Sequence, residues 1–89
     1  MNPLEEKTML RLTEKRFADF FRGKSETGMG YWVVTVYLKD GRKYPQVIVD
    51  SGFITKVRHH KRIPFEEKDI DHFEVTHDKW DWQSEDKDS

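Results

Sequence analysis

The chain has 89 residues, no cysteine and a net charge of −1. This length predicts a single small domain with one modest core. The lack of cysteine excludes a disulfide framework and a thiolate zinc site, and it favours a reducing, cytoplasmic setting. The first ten residues include two acids, and no apolar run approaches the roughly 18 residues of a membrane span. We therefore expect neither a signal peptide nor membrane insertion.

The charges are unevenly distributed along the chain. Residues 66–89 contain ten acidic and three basic residues, whereas the remaining residues carry a net charge of +6. We predict one domain over residues 1–83 and a disordered acidic tail over residues 84–89. Two interpretations stay open: an ordinary charged surface beside this tail, or a basic body that binds an acidic partner.

A short strand and a helix are predicted near the start of the chain. Leu10 belongs to the strand, and Thr13 can then cap a helix that carries Phe17 and Phe21 on one face. Gly23 is a suitable residue to end this helix. The alternative is one continuous helix that starts earlier, with a proline at its first position.

Residues 31–57, YWVVTVYLKDGRKYPQVIVDSGFITKV, predict three consecutive antiparallel strands. Asp40-Gly41 between alternating apolar residues indicates a two-residue hairpin turn. The resulting register gives one apolar face, which we assign to the core, and a half-apolar face that needs a cover such as the helix, a barrel wall or another subunit. The core-face pairs are Trp32–Val49, Val34–Val47 and Val36–Pro45, and the opposite face includes Val33–Ile48 and Tyr37–Tyr44.

The second turn is predicted as a three-residue loop, Asp50–Gly52, with its glycine in the left-handed conformation. A two-residue turn would place Lys56 beside Val47 on the core face, and this would bury a lysine. Pro45 lacks an amide donor, so we expect it at a bulge or an unpaired edge position.

The rest of the chain predicts a helical turn over residues 66–69 and a last strand containing Phe73 and Val75, after which Trp80 and Trp82 can pack back. The predicted fold is α+β: a bent antiparallel sheet of four to five strands, an SH3-like partial barrel, with one N-terminal helix. The predicted core residues are Leu12, Phe17, Phe21, Trp32, Val34, Val36, Val47, Val49, Phe53, Val57, Ile70 and Phe73.

No catalytic or metal-binding motif is recognised in the sequence, and we expect no cofactor. His59 and His60 are adjacent and would point to opposite faces of a strand, and the serines lie in predicted loops without a nucleophile motif. The best candidate for binding nucleic acid or another anion is the basic run Lys56, Arg58, His59, His60, Lys61 and Arg62.

The segment VVTVYLKDGRKYPQVIVD resembles the first motif of Sm-like proteins, in which an Asp-Gly hairpin follows a helix and opens a bent five-stranded barrel. Pro45 and Gln46 stand where that family has a glycine, and its later Arg-Gly motif is replaced by RHHKRIPFEEKDI. Ring assembly and binding of uridine-rich RNA are therefore not carried over. The chain also resembles small SH3-like barrels of bacterial proteins, in which a single helical turn precedes the last strand, as IPFEEKDI precedes DHFEV here.

The leading functional hypothesis is a non-enzymatic interaction module that forms homo-oligomers or binds another protein, since the half-apolar face and the late tryptophans give more aromatic surface than a small monomer needs. One alternative is an Sm-like or SH3-like protein that binds nucleic acid through residues 56–62. Another is a small-molecule pocket at a subunit interface. The residues proposed for self-association or ligand binding are Tyr31, Val33, Tyr37, Tyr44, Ile48, Trp80 and Trp82.

Overall fold

A computed structural model describes residues 8–28, 30–76 and 80. All its strands pair antiparallel in one sheet that curls into a half-barrel, which confirms the predicted α+β partial barrel with one helix. No helix within these ranges is long and apolar enough to cross a membrane. The elements are β1 (Leu10–Arg11), α1 (Lys15–Arg22), β2 (Trp32–Leu38), β3 (Lys43–Asp50), β4 (Phe53–Val57), a 3-10 turn (Glu67–Asp69) and β5 (Ile70–Val75). The order of the strands in the sheet is β1-β4-β3-β2-β5. The predictions for Trp82 and for a tail over residues 84–89 fall outside the described residues.

The start of α1 differs from the predicted cap. The N-cap residue is Glu14, and the Thr13 hydroxyl instead donates a hydrogen bond of 2.7 Å to Oε1 of Glu67. The other carboxylate oxygen of Glu67 accepts the backbone N–H groups of Thr13 and Glu14, both at 2.8 Å. A distant carboxylate thus satisfies donors that a local side chain usually serves. The helix ends at Gly23 as predicted.

The two-residue turn predicted for the first hairpin, Asp40-Gly41, is wrong. The N–H of Leu38 donates to the carbonyl of Arg42 at 2.8 Å, so the loop has three residues, with Gly41 at a φ of +98°. Tyr37 consequently pairs with Lys43 and Val36 with Tyr44. A bulge at Pro45-Gln46, where Gln46 has a φ of 140°, then restores the predicted pairs, which are Trp32–Val49, Val33–Ile48 and Val34–Val47. Pro45 therefore lies at a bulge, as expected.

The three-residue loop predicted for the second hairpin, Asp50–Gly52, is also wrong. Asp50 pairs with Phe53, so the turn is the two-residue Ser51-Gly52, and both turn residues have positive φ. The pairing shifts by one residue between Val49 and Ile48. This shift puts Lys56 opposite Ile48 and leaves Val57 on the core face opposite Val47. The bulge, and not a longer loop, keeps the lysine out of the core.

The main core lies between α1 and the concave face of the sheet. Phe17 and Phe21 of α1 pack against Phe73 of β5, with ring centroids 4.9 and 5.2 Å apart. Among the predicted core residues, Leu12, Trp32 and Phe53 are only half-buried, and the others are buried. Trp80 packs back onto the protein as expected. Seven other buried side chains in the described ranges were absent from the predicted core: Leu10, Val33, Leu38, Ile48, Ile54, Ile63 and Phe65.

Candidate basic groove

The basic run forms a tight turn at the end of β4. The N–H of His60 donates to the carbonyl of Val57 at 3.0 Å, and His59 has a φ of +73° at the third position of this four-residue turn. That conformation is the one type II turns require at this position, where glycine or asparagine is usual. A bulky side chain held there is strained. The backbone therefore presents His59 at the tip of the turn, where it is exposed.

One wall of the turn borders a groove with a volume of about 590 Å³, which we call the basic groove. It contains every member of the predicted basic run, and none of the described residues that line it is acidic. The described residues thus bring several basic side chains together around a concave surface, where a counter-charge is attracted most strongly. The lining residues are Thr8, Thr55, Lys56, Val57, Arg58, His59, His60, Lys61, Arg62, Ile63 and Trp80.

Arg58 is fixed in the basic groove by two neighbours. Its backbone N–H donates to the carbonyl of Gln46, and its Nε donates to Oε1 of the same residue, both at 3.0 Å. Its guanidinium carbon lies 4.0 Å from the centre of the Trp80 ring. Gln46 can accept both hydrogen bonds from Arg58 because it occupies the bulge of β3. Bulges often re-aim a side chain beside a functional site.

A second groove, of about 580 Å³, lies on the other side of the same turn. Its lining shares Val57–His60 with the basic groove and adds Tyr44 of β3. The rings of Tyr44 and His60 meet edge to face, with centroids 5.5 Å apart. The turn therefore lies between the basic groove and a second groove in which the Tyr44 ring lies beside Lys43 and Arg58.

The half-apolar face of the sheet is covered from within the chain. Val33, Ile48 and Trp80 form a buried cluster, against which Tyr31 packs. These predicted surface residues are thus enclosed in one copy of the chain, and self-association through them stays a prediction. The expected cover was a helix, a barrel wall or another subunit, whereas in the structure Trp80 covers Val33 and Ile48.

Tyr37, another residue of the predicted self-association surface, contacts the edge strand β5. Its hydroxyl donates a hydrogen bond of 2.8 Å to Glu74, and this bond raises the pKa of Tyr37 above its ordinary value. The His72 ring stacks on the Tyr37 ring at 4.4 Å. Tyr44 instead packs against the main core, and Tyr37 belongs to neither buried cluster, so the described aromatic residues of this predicted surface do not share one cluster.

Among the described residues, no group of three or more His, Asp or Glu side chains is placed to hold a metal ion. Sequence reasoning missed Gln46 as a positioning residue, although Pro45 marked the bulge beside it. Comparison of the chain with protein-family models, curated proteins and solved structures finds no match.

Proposed function

We propose that the protein is a non-enzymatic binding module whose basic groove holds the phosphate backbone of a single-stranded nucleic acid. The observation that carries this proposal is the convergence of Lys56, Arg58, Lys61 and Arg62 on one groove. Lysine and arginine side chains bind phosphates and release counterions, which supplies most of the affinity in non-specific nucleic-acid binding.

A single strand suits the arrangement better than a duplex. The turn that carries His59 is narrow, and the Tyr44 and His60 rings lie on its other side. A strand that crosses the turn could place phosphates in the basic groove and bases against these rings, as in proteins that bind single strands through basic grooves and aromatic platforms. The lack of cysteine supports a cytoplasmic setting for this activity.

The test is the anisotropy of labelled oligouridine and oligothymidine strands at salt concentrations from about 50 to 200 mM. Four phosphate contacts give an expected slope of log K against log salt of about −3, since each contact on a single strand contributes about −0.7. No binding at the lowest salt concentration would refute the proposal. Equal competition by a mononucleotide would instead favour a small-molecule site.

Matched variants locate the site. Lys61→Ala/Arg62→Ala removes two charges from the basic groove, and we expect affinity to fall about tenfold with a shallower salt slope. Lys39→Ala/Lys68→Ala removes the same charge from exposed positions outside the groove lining. Equal losses in the two double variants would show that the groove is not the binding surface.

A further inference from the structure

The strand β5 forms one edge of the sheet, and its hydrogen-bonding direction follows from its pairing with β2. The N–H of Thr76 donates to the carbonyl of Val33 at 2.9 Å, and Val34 is opposite Val75. Opposite residues in an antiparallel ladder alternate between hydrogen-bonded and non-hydrogen-bonded pairs. The backbone groups of Glu74 and His72 therefore face β2. Those of Phe73 and Val75 face outward. The pairing shifts by one residue beyond His72, and Arg16 donates to the carbonyls of both Ile70 and Asp71, so only the carbonyl of Asp71 is assigned outward.

These outward groups border a groove with a volume of about 630 Å³. The groove is walled by residues 73–76 on one side and by Phe20 and residues 23–27 on the other. At the start of β5, Arg16 donates to the carbonyls of Ile70 and Asp71, at 2.8 and 2.7 Å. Within the described residues, the edge is thus covered at its first residues and borders a groove farther along, where a strand can add by backbone hydrogen bonds.

The sequence of β5 is complementary to itself in one antiparallel register. When Phe73 lies opposite Phe73 of a second copy, Asp71 and Val75 also lie opposite each other, and the N–H of Val75 can donate to the outward carbonyl of Asp71. The carbonyl of Asp71 can accept a second bond beside that from Arg16, since it has two lone pairs. In this register His72 lies opposite Glu74 twice, once on each side of the axis.

The neighbouring registers lack this complementarity. Pairing centred on Glu74 places two carboxylates opposite each other, and pairing centred on His72 places two imidazoles together. A carboxylate can accept a hydrogen bond from the imidazole opposite it, whereas two carboxylates opposite each other repel. Tyr37 also holds both side chains in place, through its stack on His72 and its hydrogen bond to Glu74.

We propose that two copies of the chain associate through their β5 edges, antiparallel and centred on Phe73, to form one continuous sheet around a twofold axis. Such an interface uses the same surface of each copy and is closed. The contact involves different residues from the basic groove, so it stands or fails independently of nucleic-acid binding.

The experiment is the mass of the full chain by light scattering over a range of concentrations, with circular dichroism to confirm the fold. We expect a monomer–dimer equilibrium. His72→Glu places two like-charged pairs across the axis, and the dimer dissociation constant should rise about tenfold. Adding Glu74→Lys to this variant places opposite charges in each of these pairs and should return the constant to that of the unmodified chain. Tyr37→Phe controls for loss of the Tyr37–Glu74 hydrogen bond and should leave the charge pairing intact.

A second pair of variants tests the backbone contact. Val75→Pro removes an outward N–H while leaving the β2 ladder intact, because proline is tolerated at edge positions that donate no bond. We expect this variant to be monomeric and Val75→Ala, which keeps the N–H, to dimerise. A monomeric mass for the unmodified chain at ~1 mM would overturn the proposal, since it excludes even weak association. A dimer insensitive to both His72→Glu and Val75→Pro would overturn it as well.

Discussion

The guanidinium carbon of Arg58 lies 4.0 Å from the centre of the Trp80 ring, so one cation both lines the basic groove and covers the residue that closes the outer sheet face. Trp80 in turn buries Val33 and Ile48. A cation over an indole ring is attracted by the ring's quadrupole. Packing on one face of the sheet is therefore linked to the position of a charge in the candidate site.

Replacing Trp80 with alanine should lower the free energy of unfolding by about 3 kcal/mol, because a large buried aromatic side chain is lost and Val33 and Ile48 are exposed. The measurement is urea unfolding followed by circular dichroism. Met9→Ala is the control, since Met9 is 52% exposed, and its effect should stay below about 0.5 kcal/mol. Equal effects of the two changes would contradict the assigned role of Trp80.

A pH effect is expected at Glu67. Partial burial alone raises the pKa of Glu67, but hydrogen bonds from Thr13 and Glu14 outweigh it and hold the pKa below the ordinary value of 4.5. A lowered pKa in the folded state means that the carboxylate stabilises the fold above that ordinary value. This contribution is lost as the pH falls toward the folded-state pKa.

Glu67→Gln should therefore lower the free energy of unfolding at neutral pH by about 1 kcal/mol and flatten its dependence on pH below 5. Glu26→Gln serves as the control because Glu26 is exposed and accepts only one backbone bond in the described structure, from Gly30. Unfolding should be measured from pH 3 to 7. An unchanged pH profile in Glu67→Gln would exclude this role for the carboxylate.

Glycine at position 59 should stabilise the fold and weaken binding. His59 has a φ of +73°, and replacing a non-glycine residue in this region relieves strain, for a net gain of roughly 0.5–1 kcal/mol. His59→Gly also removes a side chain from the basic groove, so oligonucleotide affinity should fall.

The matched control is Ser51→Gly, because Ser51 has a φ of 53° in the hairpin turn away from the basic groove. This change should stabilise the protein comparably without altering affinity. If both glycine variants bound oligonucleotides as well as the original chain, His59 would have no part in ligand binding.

An alanine at position 28 should be destabilising because of Tyr31. A Cβ added to Gly28 would overlap the ring of Tyr31, which packs against the Trp80 cluster. Displacing the ring should cost about 1–3 kcal/mol. In a Tyr31→Ala background the same change has room and should cost much less, and thermal unfolding of the four chains measures this coupling. Strict additivity of the two changes would contradict the predicted overlap.

Local patterns in the sequence were sufficient for the element order. The apolar alternation around Val34 and Val47, the turn residues before Phe53, and the one-sided Phe17 and Phe21 each express a short-range preference that the fold retains. The basic run could be predicted as a surface segment for the same reason, since consecutive cations stay near water.

The exact registers were not predictable from these patterns. Each hairpin contains a one-residue irregularity, at Pro45-Gln46 and near Thr55, that reverses the facing of the residues beyond it. Counting from the turn alone therefore put Tyr44 on the outer face and Phe53 rather than Ile54 in the core, whereas Tyr44 packs against the main core and Ile54 is buried in it. Contacts between distant parts of the chain were equally invisible, because nothing near Arg58 or Thr13 in sequence indicates Trp80 or Glu67.

The two edges of the sheet differ in how they could template another chain. The other edge strand is β1, whose two residues Leu10 and Arg11 pair with Ile54 and Phe53 of β4, and His60 bridges to Val57, so the described residues leave no long run of free backbone there. Edge-to-edge pairing of sheets into a filament requires two open edges per molecule. A chain with one receptive edge can join a single neighbour and then stops, which limits the aggregation to which small β-rich proteins are prone.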